Sequence, residues 1–218
     1  INDWSEWEKS PERIADLNRR GLNLEEYISG TACGHYDRFQ GDFDIAKSLG
    51  HTAHRFSIEW SRIEPEEGKF DEKEIAHYRD VIRALRERGI EPFITLWHWT
   101  IPRWLRDQGG VLSGKFPALF ARYAGKISEA FKNDVQFWIT INEPEVYALN
   151  SYLRGIWPSQ RKSIFLFYKA IFRLIHAHRL SVQALKKIHP DFQIGASLNL
   201  SYFESVGGVA NAILKWGA

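Results

Sequence analysis

Apolar residues recur along this chain in two alternating rhythms: short continuous runs, and longer stretches with a spacing of three and four residues. The first rhythm predicts buried strands and the second amphipathic helices, so their alternation predicts βαβ units around a parallel sheet. The first unit opens at Phe39. There Ile45 and Leu49 are expected to share one face of a helix that Gly50 can terminate in the left-handed conformation, and residues 51–60 follow as a strand. Asp71 with Glu74 predicts a capping box. Ile75, Tyr78, Ile82 and Leu85 carry that helix's apolar stripe, and Gly89 stands at its C-cap.

Residues 90–97 form the second predicted strand, with Pro92 near its start, where a missing N–H matters least. Phe116, Phe120, Tyr123, Ile127 and Phe131 predict the next helix, and residues 135–141 the third strand. A long helix over 163–188 stops before Pro190, and residues 192–200 read as a fourth strand. Val209, Ile213 and Trp216 begin a further helix. The first thirty residues read as a polar, Trp-bearing loop with a short helix at 11–19. Strand starts at 51, 90, 135 and 192 leave room for a helix and its loops in every crossover.

In parallel α/β architectures the ligand site lies at the carboxyl ends of the strands. Those ends are polar here: Glu59-Trp60, His98-Trp99, Asn142-Glu143-Pro144 and Asn199. Arg55 lies within the first strand, at positions alternating with Ser57 and Glu59, and a guanidinium buried there would require a carboxylate partner. Acid, amide, imidazole, guanidinium and indole groups around one rim suit recognition of a polyhydroxylated substrate with acid chemistry nearby. Each residue alone has a plainer reading. Glu143 before Pro144 can simply open a helix, His98 can be a satisfied core histidine, and Trp97 and Trp99 can be packing. Cys33 and His35 are too few for a metal site, and His176 and His178 point to different faces of their helix, so no metal is expected. Neither a G-x-G-x-x-G nor a G-x-x-x-x-G-K-[ST] sequence occurs, which leaves dinucleotide and P-loop readings without support.

Composition narrows the class. The 218 residues fit one domain, 44% of them are hydrophobic, and 29 basic side chains nearly balance 27 acidic ones, so neither nucleic acid nor a membrane is an expected partner. One cysteine excludes an internal disulfide framework, and with no basic-then-apolar leader the expected location is cytoplasmic. Methionine is absent even at position 1, so the sequence as given is not expected to open at a translation start. Nine tryptophans suit a large core or a cleft that stacks against the flat faces of sugar rings.

Three segments, R-F-S-I-E-W-S-R-I from Arg55, G-I-E-P-F-I-T-L-W-H-W from Gly89 and W-I-T-I-N-E-P from Trp138, resemble the glycoside hydrolase family 1 β-glycosidases, in the family's order. The resemblance implies an α/β fold of the (β/α)8 TIM-barrel kind, with about four βα units in residues 1–218, and retaining hydrolysis of β-glucosides or β-galactosides without a cofactor. It implies Glu143 as general acid/base, Asn142 on the sugar 2-hydroxyl, His98 and Trp99 as substrate-binding residues, and Arg55 as the residue that steadies the nucleophile. The family's opening strand would precede Ile1. Its T-E-N-G motif, which supplies the nucleophilic glutamate, occurs nowhere in the sequence. Glu59, on the order of 10 Å from Glu143 at two strand spacings, is the in-chain carboxylate considered as a substitute. The implied partners are a small β-glycoside or oligosaccharide and either a second copy or a complementing half-barrel. The alternative is a noncatalytic fragment that binds sugar or assembles with another chain.

Overall fold

The computed structural model describes residues 1–200. Two helices open the chain, α1 (Asp3–Trp7) and α2 (Pro11–Arg19), followed by a 3-10 turn at Leu24–Tyr27 and helix α3 (His35–Ser48). The remainder alternates. β1 (Ala53–Ser57) leads through α4 (Trp60–Ile63) and α5 (Glu72–Glu87) to β2 (Glu91–Trp97). From there α6 (Arg103–Asp107) and α7 (Phe116–Ala130) lead to β3 (Phe137–Asn142). Next come α8 (Pro144–Ala148) and α9 (Ile164–Ile188), and then β4 (Gln193–Ser197).

All three strand pairs are parallel and the order is β1-β2-β3-β4, so each helical crossover returns the chain to the next position in the sheet. The register sets Arg55 beside Phe93 and Phe93 beside Phe137, whose rings stack 4.3 Å apart. Ile94, Leu96 and Trp138 are buried under the helices. On the other face Arg55, Gln193 and Gly195 are exposed, as an unclosed barrel wall would leave them. The helix stripe read from the sequence holds in full: Phe116, Phe120, Tyr123, Ile127 and Phe131 are all completely buried. Tyr123 sits at the centre, its hydroxyl 3.3 Å from the Ile58 carbonyl and 3.2 Å from that of Leu96, so a buried phenol ties α7 to the ends of β1 and β2.

Several expectations are corrected. The outer strands are shorter than 51–60 and 192–200, since Glu59 accepts from the Ser61 amide as the N-cap of α4 and ends the first strand's alternation. The opening residues hold a second helix, α1, because Asn2 and Ser5 form a reciprocal capping box. On α3 the buried positions are Phe43 and Ala46, which pack with Val81, Ala84, Leu85 and Ile90, while Ile45 and Leu49 face solvent. Two overlapping stripes satisfied helical spacing there, and the one carrying the aromatic ring takes the core. Asp71 caps α5 through the Lys73 and Glu74 amides, but the Glu74 carboxylate is held by the Tyr36 hydroxyl instead of completing a box. The helix expected at Val209, Ile213 and Trp216 lies outside the described residues.

The stripe yields a contrast testable by urea unfolding. Phe120→Ala should lower stability by about 3–5 kcal/mol, the range for emptying a well-packed aromatic site. Phe172→Ala, at a residue 69% exposed on α9, should change it by less than about 0.5 kcal/mol.

Candidate active site

Parallel pairing places the residues that follow each strand side by side at one end of the sheet, and four of the five candidate residues meet there through direct hydrogen bonds. Arg55 donates from Nε to Thr95 Oγ1 (2.8 Å) and from a terminal nitrogen to Asn142 Oδ1 (2.5 Å), with Ser197 Oγ at 3.4 Å. A guanidinium can only donate, so this contact fixes the orientation of the Asn142 amide. Its Nδ2 then donates to His98 Nε2 at 3.2 Å. With Nε2 accepting, the neutral ring carries its proton on Nδ1, 3.3 Å from Ser57 Oγ. Desolvation and the Arg55 charge lower the His98 pKa, against a smaller upward pull from Glu143, which favours that neutral tautomer at pH 7. The carboxylate expected beside Arg55 is not among these partners. The guanidinium is exposed on the open face, so the burial that would have demanded an anion is absent.

Trp99 is the fourth member. Its indole nitrogen donates to the Asn142 carbonyl at 3.0 Å, and its backbone is left-handed at φ 79°. Glu143 is also left-handed (φ 42°, ψ 62°), an uncommon conformation for a non-glycine residue and one that Pro144 further disfavours. It is held by its amide, which donates to the Ser197 carbonyl at 2.7 Å, and by its own carbonyl, which accepts from the Tyr147 amide at 3.1 Å. The carboxyl side chain makes no capping hydrogen bond to α8. Glu143 therefore opens α8 by position while its strained backbone leaves the carboxyl free of capping.

The opening segment, where the sequence predicts a loop, contributes a further part. Asp3 pairs with the segment after β2: its amide donates to the Ile101 carbonyl (3.1 Å), and its carboxylate accepts from the Ile101 amide (2.8 Å). Trp4 stacks on Trp99 with centroids 6.2 Å apart, and Trp157 approaches Trp99 to 4.5 Å, so the indole at the site is backed by two others. The spacing of Trp4 and Trp7, behind a cap at Asn2, was the signal available for this. A cavity of about 720 Å³ adjoins this corner, lined by Asp3, Ile101, Tyr147 and Tyr152 among others, and it includes none of the strand-end residues. Glu59 accepts from Ser61, Thr100 and Asn2, so its carboxylate is engaged in holding loops. His178 is spent on Thr140 Oγ1 at 2.7 Å, and among the described residues no group of three His, Cys, Asp or Glu is placed to hold a metal ion. No helix among them is long and apolar enough to cross a membrane.

A parallel strand-and-helix wall with a polar constellation at its carboxyl ends is the architecture of a partial (β/α) barrel. The family model for Glycosyl hydrolase family 1 matches residues 7–214, and the chain belongs to that family. It is 37% identical over 174 residues to Beta-glucosidase A of Thermotoga maritima, covering 79% of this chain and 39% of that protein. With Beta-glucosidase A of Acetivibrio thermocellus it shares 34% identity over 200 residues, covering 91% and 43%. The solved family 1 β-glucosidase of T. maritima superposes with a TM-score of 0.81 at 34% identity, covering 84% of this chain and 42% of that one. The same organism's β-glucosidase in complex with deoxynojirimycin gives 0.78 at 36% identity, covering 82% and 41%. The chain therefore spans about two fifths of the length of the relatives it matches.

Burial raises the Asp3 pKa to about 7, opposed by the Ile101 amide. A carboxyl whose folded pKa lies above its unfolded value favours folding while protonated, so this contribution is present below about pH 4 and is lost as pH rises through about 7. Denaturant titrations should show Asp3→Asn removing a decline on the order of a few kcal/mol across that window. An unchanged pH slope in the variant would contradict the assignment.

Proposed function

We propose that the protein to which this chain belongs hydrolyses β-glycosidic bonds in β-glucosides or β-galactosides by the retaining two-carboxylate mechanism, with Glu143 as general acid/base. The observation that carries the reading is the joining of Arg55, His98, Trp99 and Asn142 into one hydrogen-bonded group immediately beside the strained, uncapped Glu143. In the first step the Glu143 carboxyl gives its proton to the glycosidic oxygen while a second carboxylate, about 5–5.5 Å away, attacks the anomeric carbon and the C–O bond breaks. In the second step Glu143 takes a proton from water as the water's oxygen displaces that carboxylate. Two inversions return the β configuration.

The remaining roles follow from donor and acceptor chemistry. A sugar hydroxyl between Asn142 and His98 can accept from Nδ2 and donate to Nε2, replacing their mutual bond without leaving either group unsatisfied. Trp99 supplies an apolar wall beside it, and Arg55, whose partners among the described residues are all neutral oxygens, is poised to steady an anionic nucleophile. On this reading Glu59, whose oxygens accept from Ser61, Thr100 and Asn2, serves to hold loops and is not assigned the role of nucleophile.

Residues 1–218 form, on this reading, one partial barrel domain lacking the family's first strand and its later ones. The strands that complete the barrel supply the nucleophile, from a longer polypeptide, a second copy or a complementing half-barrel. The apolar outer face of α9, where Phe165, Tyr168, Phe172 and Ile175 are exposed, suits such a neighbour. A noncatalytic module that binds sugar and assembles through the same face is the second reading. One exposed cysteine, Cys33, fits the reducing cytoplasm. The expected ligand is a small β-glycoside or oligosaccharide, with no cofactor, nucleic acid or membrane involved.

Turnover of an alkyl β-glucoside by the complete protein should fall about 10²–10⁴-fold in Glu143→Gln, and the product formed first by the parent should be the β anomer. An unimpaired variant, or an α-anomeric first product, would overturn the proposal.

A further inference from the structure

Glu59 is the most heavily used carboxylate near the strand ends. One oxygen accepts from the Ser61 amide (3.1 Å) and hydroxyl (2.7 Å), while the other accepts from Thr100 Oγ1 (2.7 Å) and Asn2 Nδ2 (3.3 Å). These four donors come from three parts of the chain: the first turn of α4, the segment after β2, and the cap of α1. Thr100 directly follows Trp99, whose backbone is left-handed and whose indole reaches the carbonyl of Asn142. That carbonyl belongs to the peptide unit leading into Glu143, which is left-handed as well. Two adjacent strand ends thus each carry a strained non-glycine residue, and a single indole bond joins them. Strained conformations of this kind persist only where the surroundings over-determine them. The Thr100 hydroxyl, tied to Glu59, is the side-chain restraint next to the first of them.

We infer that Glu59 is a positioning residue: through Thr100 its carboxylate holds the Trp99 indole against the Asn142 carbonyl and so keeps Glu143 in its left-handed turn. The structural half of this inference stands on the hydrogen bonds alone, and its effect on turnover rests on the hydrolase reading above. The chemistry separates positioning from catalysis. A glutamine at position 59 cannot act as nucleophile or base, but with its Oε1 turned to Thr100 and Asn2 it still accepts from both, while its Nε2 can donate to the Ser61 hydroxyl, so the link to Thr100 survives with only the Ser61 amide losing its acceptor. An alanine removes the link.

The experiment follows the Trp99 indole N–H resonance, assigned with Trp99→Phe, in ¹H–¹⁵N spectra of the full chain, and in parallel the hydrolysis of nitrophenyl β-glucoside by the complete protein. Glu59→Ala should shift or broaden the Trp99 resonance, Thr100→Val should do the same, and the double variant should add nothing further, since both remove one link. Glu59→Gln should restore the parent resonance. In turnover, Glu59→Ala should lower kcat roughly tenfold with KM within about twofold, the pattern of a misplaced reacting group, and Glu59→Gln should recover most of that loss. A parent-like Trp99 resonance in Glu59→Ala overturns the inference. So does a Glu59→Gln variant as defective as Glu59→Ala, because negative charge and not the bond would then be what matters. Should Glu59→Ala fail to fold, Thr100→Val, which deletes only the hydroxyl, decides alone. A parent protein without turnover would sink the hydrolase reading and leave the resonance to decide the role of Glu59.

Discussion

The contact on which the site depends is that between Arg55 and the Asn142 amide. Because the guanidinium can only donate, it dictates which end of the amide faces it, and the amide in turn dictates which nitrogen of His98 accepts. One permanent positive charge thereby sets hydrogen-bond direction across three neighbouring strands. It does so while its own bonds go to neutral oxygens, those of Thr95, Asn142 and Ser197. Such a cation adds little to the stability of an open sheet, and its value lies in what it would attract: an anion arriving on the same face finds a charge already held in place. The second carboxylate that the proposed retaining hydrolysis requires would meet a cation whose partners among the described residues are all neutral.

Around that contact the fold supplies rigidity in layers. The parallel register brings the ends of β1 to β4 together, and α7 backs them with a continuous aromatic stripe whose one polar atom, the Tyr123 hydroxyl, reaches the carbonyls of Ile58 and Leu96. The opening segment then braces the rim from outside: Asp3 pairs with Ile101, Trp4 packs on Trp99, and Asn2 reaches Glu59. The two left-handed residues at the rim are held between these supports. Strain there and dense packing beneath are complementary, since side chains aimed by a strained turn keep their aim only on a firm base.

Much of this was legible in the sequence. Each predicted strand within the described residues exists, in the predicted order, because runs of strand length such as 90–97 and 135–141 are mostly apolar, and the stripe of α7 was read without error. The failures have physical causes. Ile45 and Leu49 obeyed helical spacing but lost the core to Phe43, a competition that spacing cannot score. Glu59 looked like a free strand-end acid, and only three-dimensional proximity to Asn2 and Thr100, some 57 and 41 positions away in sequence, reveals that its oxygens are taken. A guanidinium buried at position 55 would have required a carboxylate, but the unclosed face leaves Arg55 exposed. The cap at Asn2 and the spacing of Trp4 and Trp7 marked the helix that carries Trp4, but its contact with Trp99 joins distant segments and leaves no periodic trace.

The most direct test of this account is the protonation state of one ring. Nitrogen-15 NMR of His98 at pH 7 should show a neutral imidazole with its proton on Nδ1 and an unprotonated, accepting Nε2, and Arg55→Leu should release that preference. An imidazolium, or a ring protonated on Nε2 in the parent protein, would contradict the chain of bonds running from Arg55 through Asn142 to His98.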